Sequence, residues 1–487
     1  MEFKPSEYQL AVFDFIREGR GHCIVEAVAG SGKTTTIVKA MDIVPKDKRC
    51  IFLAFNKHIA NALKEKAPSN VVVSTLHALG YKELQSNFGK MRLNNRKVAE
   101  MYNLIIEDNK DDKEAVDVLE EIQYPVIKFI SSFKGTLLEV NEENLRYISE
   151  RHDIELNEEI GIEIYLTVIE GILEGDSDDT SQVDFDDMIY LPIVLEIPMT
   201  KYDFVFVDET QDLNKSQLEM VKRFVNEEGR IIAVGDRFQS LYGFRGVDTD
   251  AIPRMIEELE ATVLPLSISY RCPRTVVELA KRLVPAIESF ESAEEGKITQ
   301  DMSYDDFYEI VKPKDMVVCR NNTPLVKPAF YLLSQGVKVC IKGKDIGEGL
   351  IKIIKKFNTS DMKVFYTKLD EWFENEKMWA TKKHKDVGAI EDKYNVLQAL
   401  ADGCIDVVCI KNKIQTIFSD TNAEVTFSSI HKAKGLESDR MFILEPSLMP
   451  SKYAIQEWQV QQEKNCMYVA ITRAKKELYV VGGSLNL

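Results

Sequence analysis

The eight residues Ala27–Thr34, AVAGSGKT, restrict this chain more than any other segment. They follow a short apolar run, Cys23–Val28, and lead into a helical pattern from Lys33. A strand, a glycine-rich turn and a helix opening on Lys-Thr let backbone N–H groups wrap a phosphate. Gly30 and Gly32 lack the side chains that would block its approach. Lys33 is placed to neutralise the outer phosphates of a nucleotide, and the Thr34 hydroxyl to hold Mg²⁺. Ala27 stands where the general pattern has its first glycine. The expected phosphate-binding set is Ala29, Gly30, Ser31, Gly32, Lys33, Thr34 and Thr35.

A second segment completes that chemistry. FVFVDETQD, Phe204–Asp212, sets an acidic pair at the end of a buried apolar run. Asp208 fits a Mg²⁺ ligand beside the phosphate loop, and Glu209 a base that orients and deprotonates the attacking water.

The remaining pattern predicts an α/β fold. An amphipathic helix follows Pro5, with Tyr8, Ala11, Val12 and Phe15 on one face. Short Val- and Ile-rich runs at Cys50–Phe55, Val71–Thr75, Phe204–Asp208 and Ile231–Gly235 read as strands of a parallel sheet buried on both faces. From Ala78 to Gln182 the pattern is long, charged and helical, and is expected to be an insertion ending in an acidic surface loop, Gly175–Gln182. A second strand set lies at 315–320, 338–341, 425–430, 440–445 and 477–482. The expected division is a first domain from 1–77 and 183–265, a helical insertion 78–182, a second domain from 266–357 and 424–487, and a small insertion 358–423.

Composition narrows the class further. Hydrophobic residues make up 45% and charged residues 29%, the proportions of a soluble globular chain. Neither a leader peptide nor a membrane-spanning run is read, so a cytoplasmic protein is expected, without membrane partners. The eight cysteines are scattered and read as reduced thiols, and the six histidines form no ligand pattern. A net charge of −17 argues against tight binding of duplex, because phosphate contacts need Lys and Arg; a local basic track remains compatible with it.

Further segments carry a specific likeness. VDETQD, followed by VGDRFQSLYGFRG (Val234–Gly246), SYRCP (Ser269–Pro273), SSIHKAKGLE (Ser428–Glu437) and YVAITRAKKELYVV (Tyr468–Val481), resembles the second to sixth motifs of the UvrD/Rep branch of superfamily 1 helicases, in the family's order. DFDD (Asp184–Asp187) matches a further family element, and LAFNK (Leu53–Lys57) and STLHALGY (Ser74–Tyr81) are similar to the F-box helicase branch. The resemblance implies two RecA-like P-loop domains, with ATP between them and single-stranded DNA crossing both. It implies adenine contacts from Gln9 and Tyr270, γ-phosphate sensing by Gln239, Arg271 and Arg473, and a ribose contact from Glu437. It places Phe55, Asn56, Thr75, His77 and His431 along the DNA, with Tyr242 and Phe244 stacking on bases. Phe244 departs from the family's usual Trp.

The function this resemblance implies is an ATP-dependent 3′→5′ DNA helicase acting on single strands and single-strand/duplex junctions, with the polarity read from the HKAKGLE form of the fifth motif. Its small second insertion, where full-size relatives carry a large one, leaves a second reading open: a translocase that strips bound proteins or needs a partner to unwind. A monomer is expected, cytoplasmic or nucleoid-associated (or in a host cytoplasm if phage-encoded), working beside replication or recombination proteins.

Overall fold

The computed structural model describes residues 3–152, 154–241, 251–382, 387–418 and 423–487. The chain forms two compact units. The first comprises Met1–Ala27, Gly32–Arg237 and Tyr242–Leu266; the second comprises Val28–Ser31, Phe238–Leu241 and Ser267–Leu487.

Six strands build the sheet of the first unit: β1 (Cys23–Ala27), β2 (Cys50–Ala54), β3 (Val71–Thr75), β4 (Tyr202–Val207), β5 (Val225–Gly235) and β6 (Thr262–Leu266). Their order is β3-β2-β4-β5-β1-β6, and every neighbouring pair is parallel. Side chains alternate between two apolar layers. Cys23, Val25, Cys50, Phe52, Phe204 and Phe206 enter one layer, and Ile24, Ile51, Leu53, Val205 and Val207 the other. Burial on both faces is why β1, β2 and β4 read as unbroken apolar runs, while the outer strands β3 and β6 are partly exposed.

The first helix, α1 (Glu7–Glu18), is started by a capping box between Ser6 and Gln9. Its buried stripe is Gln9, Val12, Phe13 and Ile16, one residue on from the expected Tyr8, Ala11, Val12 and Phe15, and Ala11 faces solvent. The helix takes this rotation because Gln9 can be buried at no cost in lost hydrogen bonds: its Nε2 donates to Thr36 Oγ1 at 2.8 Å, and its Oε1 accepts from Ser6 N at 3.1 Å. Helix α2 (Lys33–Ile43) opens on the predicted lysine.

A helical insertion leaves the sheet after α3 (Leu76–Phe88). Its helices are α4 (Lys97–Asp108), α5 (Lys113–Thr136), α6 (Glu142–His152) and α7 (Ile162–Asp178), packed around Tyr102, Ile122, Phe129, Phe133, Ile148, Tyr165 and Ile169. The chain enters and leaves it through one short parallel pair, Arg92–Leu93 with Gln182–Val183, and returns into α8 (Asp187–Val194). The expected surface loop at Gly175–Gln182 is overturned over its first four residues. Helix α7 continues to Asp178, and Asp176 is fully buried, because two lysines neutralise it there.

The second unit repeats the plan with β7 (Lys297–Met302), β8 (Met316–Cys319), β9 (Val339–Lys342), β10 (Val425–Ser429), β11 (Ser438–Leu444) and β12 (Ala474–Val481). The order is β7-β12-β11-β8-β10-β9, again all parallel. Helices Met362–Lys382, Gly388–Ala401 and Val407–Ile417 lie between β9 and β10, and their Phe365, Leu369, Leu397 and Ile410 share one core with Val317, Ile341 and Phe427 of the sheet. Of the eight cysteines six are buried, and none is in a disulfide. Among the described residues no helix is long and apolar enough to cross a membrane.

Candidate functional site

In the first unit the phosphate loop hands over to α2 at Lys33, and β4 ends on Asp208. Lys33 Nζ donates to Glu209 Oε2 at 3.1 Å, and Gln211 Nε2 donates to the same oxygen. Glu209 N donates back to Asp208 Oδ1 at 2.9 Å, and Asp208 N bonds Leu53 O of β2 at 3.1 Å. Gln211 Oε1 in turn accepts from Asp236 N at 2.9 Å, beyond the end of β5. Two strand ends thus hold one carboxylate in place. Glu209 has φ = 50°, a left-handed backbone that a non-glycine residue keeps only when its surroundings impose it.

The electrostatics of this cluster are strongly coupled. Burial alone would lower the Lys33 pKa, but Glu209, Asp208 and Asp236 together hold it above the usual lysine value. Burial, and then the Glu209 charge, push Asp208 up to about 6, with Lys33 opposing. Thr34 and Thr35 are exposed on the first turn of α2, while Thr36 turns inward and donates to Gly32 O at 3.0 Å. Pairing of Gln9 with an adenine edge would have to replace its bonds to Thr36 and Ser6.

The second unit contains the other half of the phosphate loop. Ala29 N donates to Tyr468 Oη at 2.8 Å, and Tyr270 N donates to Gly30 O at 2.9 Å. Gly30 has φ = 75°, and a Cβ there would lie 2.5 Å from Arg271 Cβ and 2.8 Å from Ser269 Oγ, so glycine is required twice over. Ser31 Oγ is buried without a hydrogen-bond partner, an orphan donor of the kind a phosphate oxygen would satisfy. Arg473, 1% exposed, donates from Nη2 to Gln239 Oε1 at 3.0 Å and from Nε to Val469 O at 3.2 Å. Arg271 Nε donates to Glu437 Oε2 at 2.7 Å. Burial would raise the Glu437 pKa, but the Arg271 guanidinium outweighs it and holds the carboxyl low. The Tyr270 ring is partly exposed and packs against Phe290 with centroids 4.9 Å apart. His431 is half-buried on the short helix Ile430–Ala433.

The expected DNA-contacting residues of the first unit sit at strand ends. Phe55 is exposed after β2, and Asn56 caps the helix Lys57–Lys64 by accepting from Ile59 N at 2.9 Å. Thr75 caps α3 by accepting from Ala78 N at 3.2 Å. His77 stands edge-on to Phe185, centroids 5.9 Å apart, and burial lowers its pKa against the opposing charge of Asp186. Tyr242 and Phe244 lie outside the described residues. Sequence reasoning missed Gln211, which holds Glu209, and Phe185, a half-exposed ring beside His77. Both stand inside segments already singled out, TQD and DFDD, but neither segment shows which neighbour its residue meets.

A glycine-rich loop between a strand and a helix, with an acidic pair at the end of a second strand of the same parallel sheet, defines a P-loop nucleotide-binding protein. The chain belongs to the UvrD/Rep helicase family: the UvrD/REP helicase N-terminal domain matches residues 13–260, and the UvrD-like helicase C-terminal domain matches residues 424–481. It is similar to F-box DNA helicase 1 of Gallus gallus, 22% identical over 497 residues, covering 94% of this chain and 47% of that protein. The F-box DNA helicase protein 1 of Schizosaccharomyces pombe is also 22% identical, covering 93% and 55%. The ATP-dependent DNA helicase Rep of Escherichia coli is 26% identical over 314 residues, covering 58% and 43%. The chain therefore spans about half the length of the relatives it matches.

Proposed function

We propose that this chain is an ATP-dependent DNA helicase that moves 3′→5′ along single strands and acts at single-strand/duplex junctions. The observation that carries this reading is the Lys33–Glu209 ion pair braced by Gln211, at the phosphate loop of a chain in the UvrD/Rep helicase family. When a nucleotide's phosphates take the Lys33 ammonium, Glu209 loses its cation but keeps Gln211, and is free to orient and deprotonate water. Thr34 and Asp208 would hold Mg²⁺, which supplies positive charge to the phosphate oxygens. Gln239, Arg271 and Arg473 would answer the charge that develops on the transferred phosphoryl. Arg473 already holds Gln239, so the two can respond as one unit. Gln9, Tyr270 and Glu437 would seat the adenosine.

For DNA, the proposed track is Phe55, Asn56, Thr75, His77 and His431, with Tyr242 and Phe244, and Phe185 is added to it. Exposed rings tolerate any base, which suits a motor without sequence preference. The protein would work in the cytoplasm or at the nucleoid, as a monomer beside replication or recombination proteins. Strand displacement on duplexes with a 3′ or a 5′ tail tests the reading, with Lys33→Ala as control. Unwinding is expected from the 3′ tail alone, and the control is expected to lose DNA-stimulated ATPase by orders of magnitude. Unwinding from the 5′ tail, or near-normal turnover in Lys33→Ala, rejects it.

A second reading has its own support. The helices of residues 362–417 share one core with the sheet of the second unit. A segment so built in leaves little that could reach for duplex on its own. A translocase that strips proteins, or that unwinds only with a partner, fits this better, and a protein-clearance assay beside strand displacement separates the two.

A further inference from the structure

Five charged side chains meet where the helical insertion joins the first sheet. Lys97 from α4, Lys134 from α5, Asp176 from α7 and Asp187 from α8 are fully buried, and Asp184 lies just before α8. Lys134 Nζ lies 2.5 Å from Asp187 Oδ1, 2.7 Å from Asp176 Oδ2 and 3.5 Å from Asp184 Oδ2. Lys97 Nζ lies 2.7 Å from Asp176 Oδ1 and 3.3 Å from Asp187 Oδ2, and donates to the Asp176 and Asp179 carbonyls at 3.0 and 3.1 Å. Buried ion pairs add little net stability over apolar packing of the same volume, but they hold geometry tightly, because a single displaced charge is left uncompensated. Here they hold one turn.

That turn is Asp184–Asp187. Asp184 N donates to Asp187 Oδ2 at 2.9 Å, and Asp187 N donates to Asp184 Oδ1 at 2.8 Å. Asp186 Oδ2 accepts from Ser131 Oγ at 2.6 Å. Ser131 and Lys134 are three residues apart on α5, so one face of one insertion helix grips both ends of the turn. Between the gripped residues stands Phe185, 51% exposed, edge-on to His77.

We propose that Lys134, Lys97 and Ser131 are positioning residues for single-strand binding: they fix the Asp184–Asp187 turn so that Phe185 stands beside His77, and through it tie the insertion to the DNA track. The proposal rests on the reading that Phe185 and His77 meet DNA. Loosening the turn leaves Phe185 free to turn away from its place, so the strand loses a stacking partner without any change at the phosphate loop.

The test measures the single-strand concentration that half-activates ATPase, with DNA-free turnover and thermal melting alongside. Three changes are compared in the full chain. Phe185→Ala removes the ring. Ser131→Ala cuts one tether at a partly exposed site, so folding is preserved. Lys134→Met with Asp187→Asn removes one charge of each sign, so the fully buried Lys97 and Asp176 still pair with each other. Phe185→Ala should raise the half-activating concentration roughly tenfold, the order expected for one lost stacked base. Ser131→Ala and the paired change should each raise it severalfold, with DNA-free turnover and the KM for ATP unchanged. In the Phe185→Ala background neither should add anything, because both act through that ring. If both activate like the parent chain while Phe185→Ala is impaired, or if their effects persist without Phe185, the positioning role is wrong. If Phe185→Ala itself changes nothing, the DNA-track reading beneath the proposal fails instead, and the proposal with it.

Discussion

At the scale of single residues, the proposed chemistry turns on Glu209. Its left-handed backbone and its bonds to Lys33 and Gln211 hold one carboxylate oxygen between a cation and an amide. Glu209→Gln keeps the size but loses the basicity, so it should bind ATP and DNA normally and lose hydrolysis by about 100-fold or more. A variant with weakened nucleotide affinity and an intact kcat would make Glu209 a structural residue. The placement of Lys33 at a helix start and of Asp208 and Glu209 at a strand end was legible in the sequence, because a short apolar run marks where each strand stops. Gln211 and Phe185 were not, because what each does depends on a neighbour brought to it by the fold: Glu209 and Asp236 for one, His77 for the other.

At the scale of elements, periodicity named the helices but not always their inward face. Helix α1 buries a glutamine where an all-apolar stripe was expected, since Thr36 and Ser6 satisfy its amide. Helix α7 runs on through residues read as a loop, since Lys97 and Lys134 neutralise Asp176. The end of α6 carries a pH response. Burial, and then the Arg151 charge, lower His152 to about 4 from its ordinary 6.5. The unfolded chain thus takes up this proton before the folded one does. The stability contributed by a neutral His152 is complete above pH 6.5 and is lost as pH falls from there toward 4. The melting temperature of the parent chain should therefore drop more steeply between pH 6.5 and 4.5 than that of His152→Gln, which has no imidazole to titrate. Parallel pH–melting curves for the two would contradict this.

At the scale of the whole molecule, the charge is unevenly placed. Residues 97–178 hold 22 Asp and Glu against 7 Lys and Arg, and so carry −15 of the chain's −17. The acidity that spoke against nucleic acid belongs almost entirely to the insertion, and the rest of the chain is nearly neutral. Salt dependence tests the consequence. Replacing the exposed Glu107, Asp111, Glu114 and Glu120 by their amides should raise single-strand affinity modestly at low salt. The slope of log affinity against log salt should stay the same, because that slope counts phosphates neutralised by Lys and Arg. A changed slope would put the insertion in contact with the strand. The sequence by itself determined the phosphate loop, the acidic pair and the two strand sets, because each is a local pattern whose spacing is dictated by backbone geometry and by phosphate chemistry. Only the tertiary structure decided which carboxylates are buried, which polar groups brace Glu209 and how the insertion grips the Phe185 turn. Those depend on side chains far apart in the chain meeting in space, where burial makes a charge stay only beside its partner.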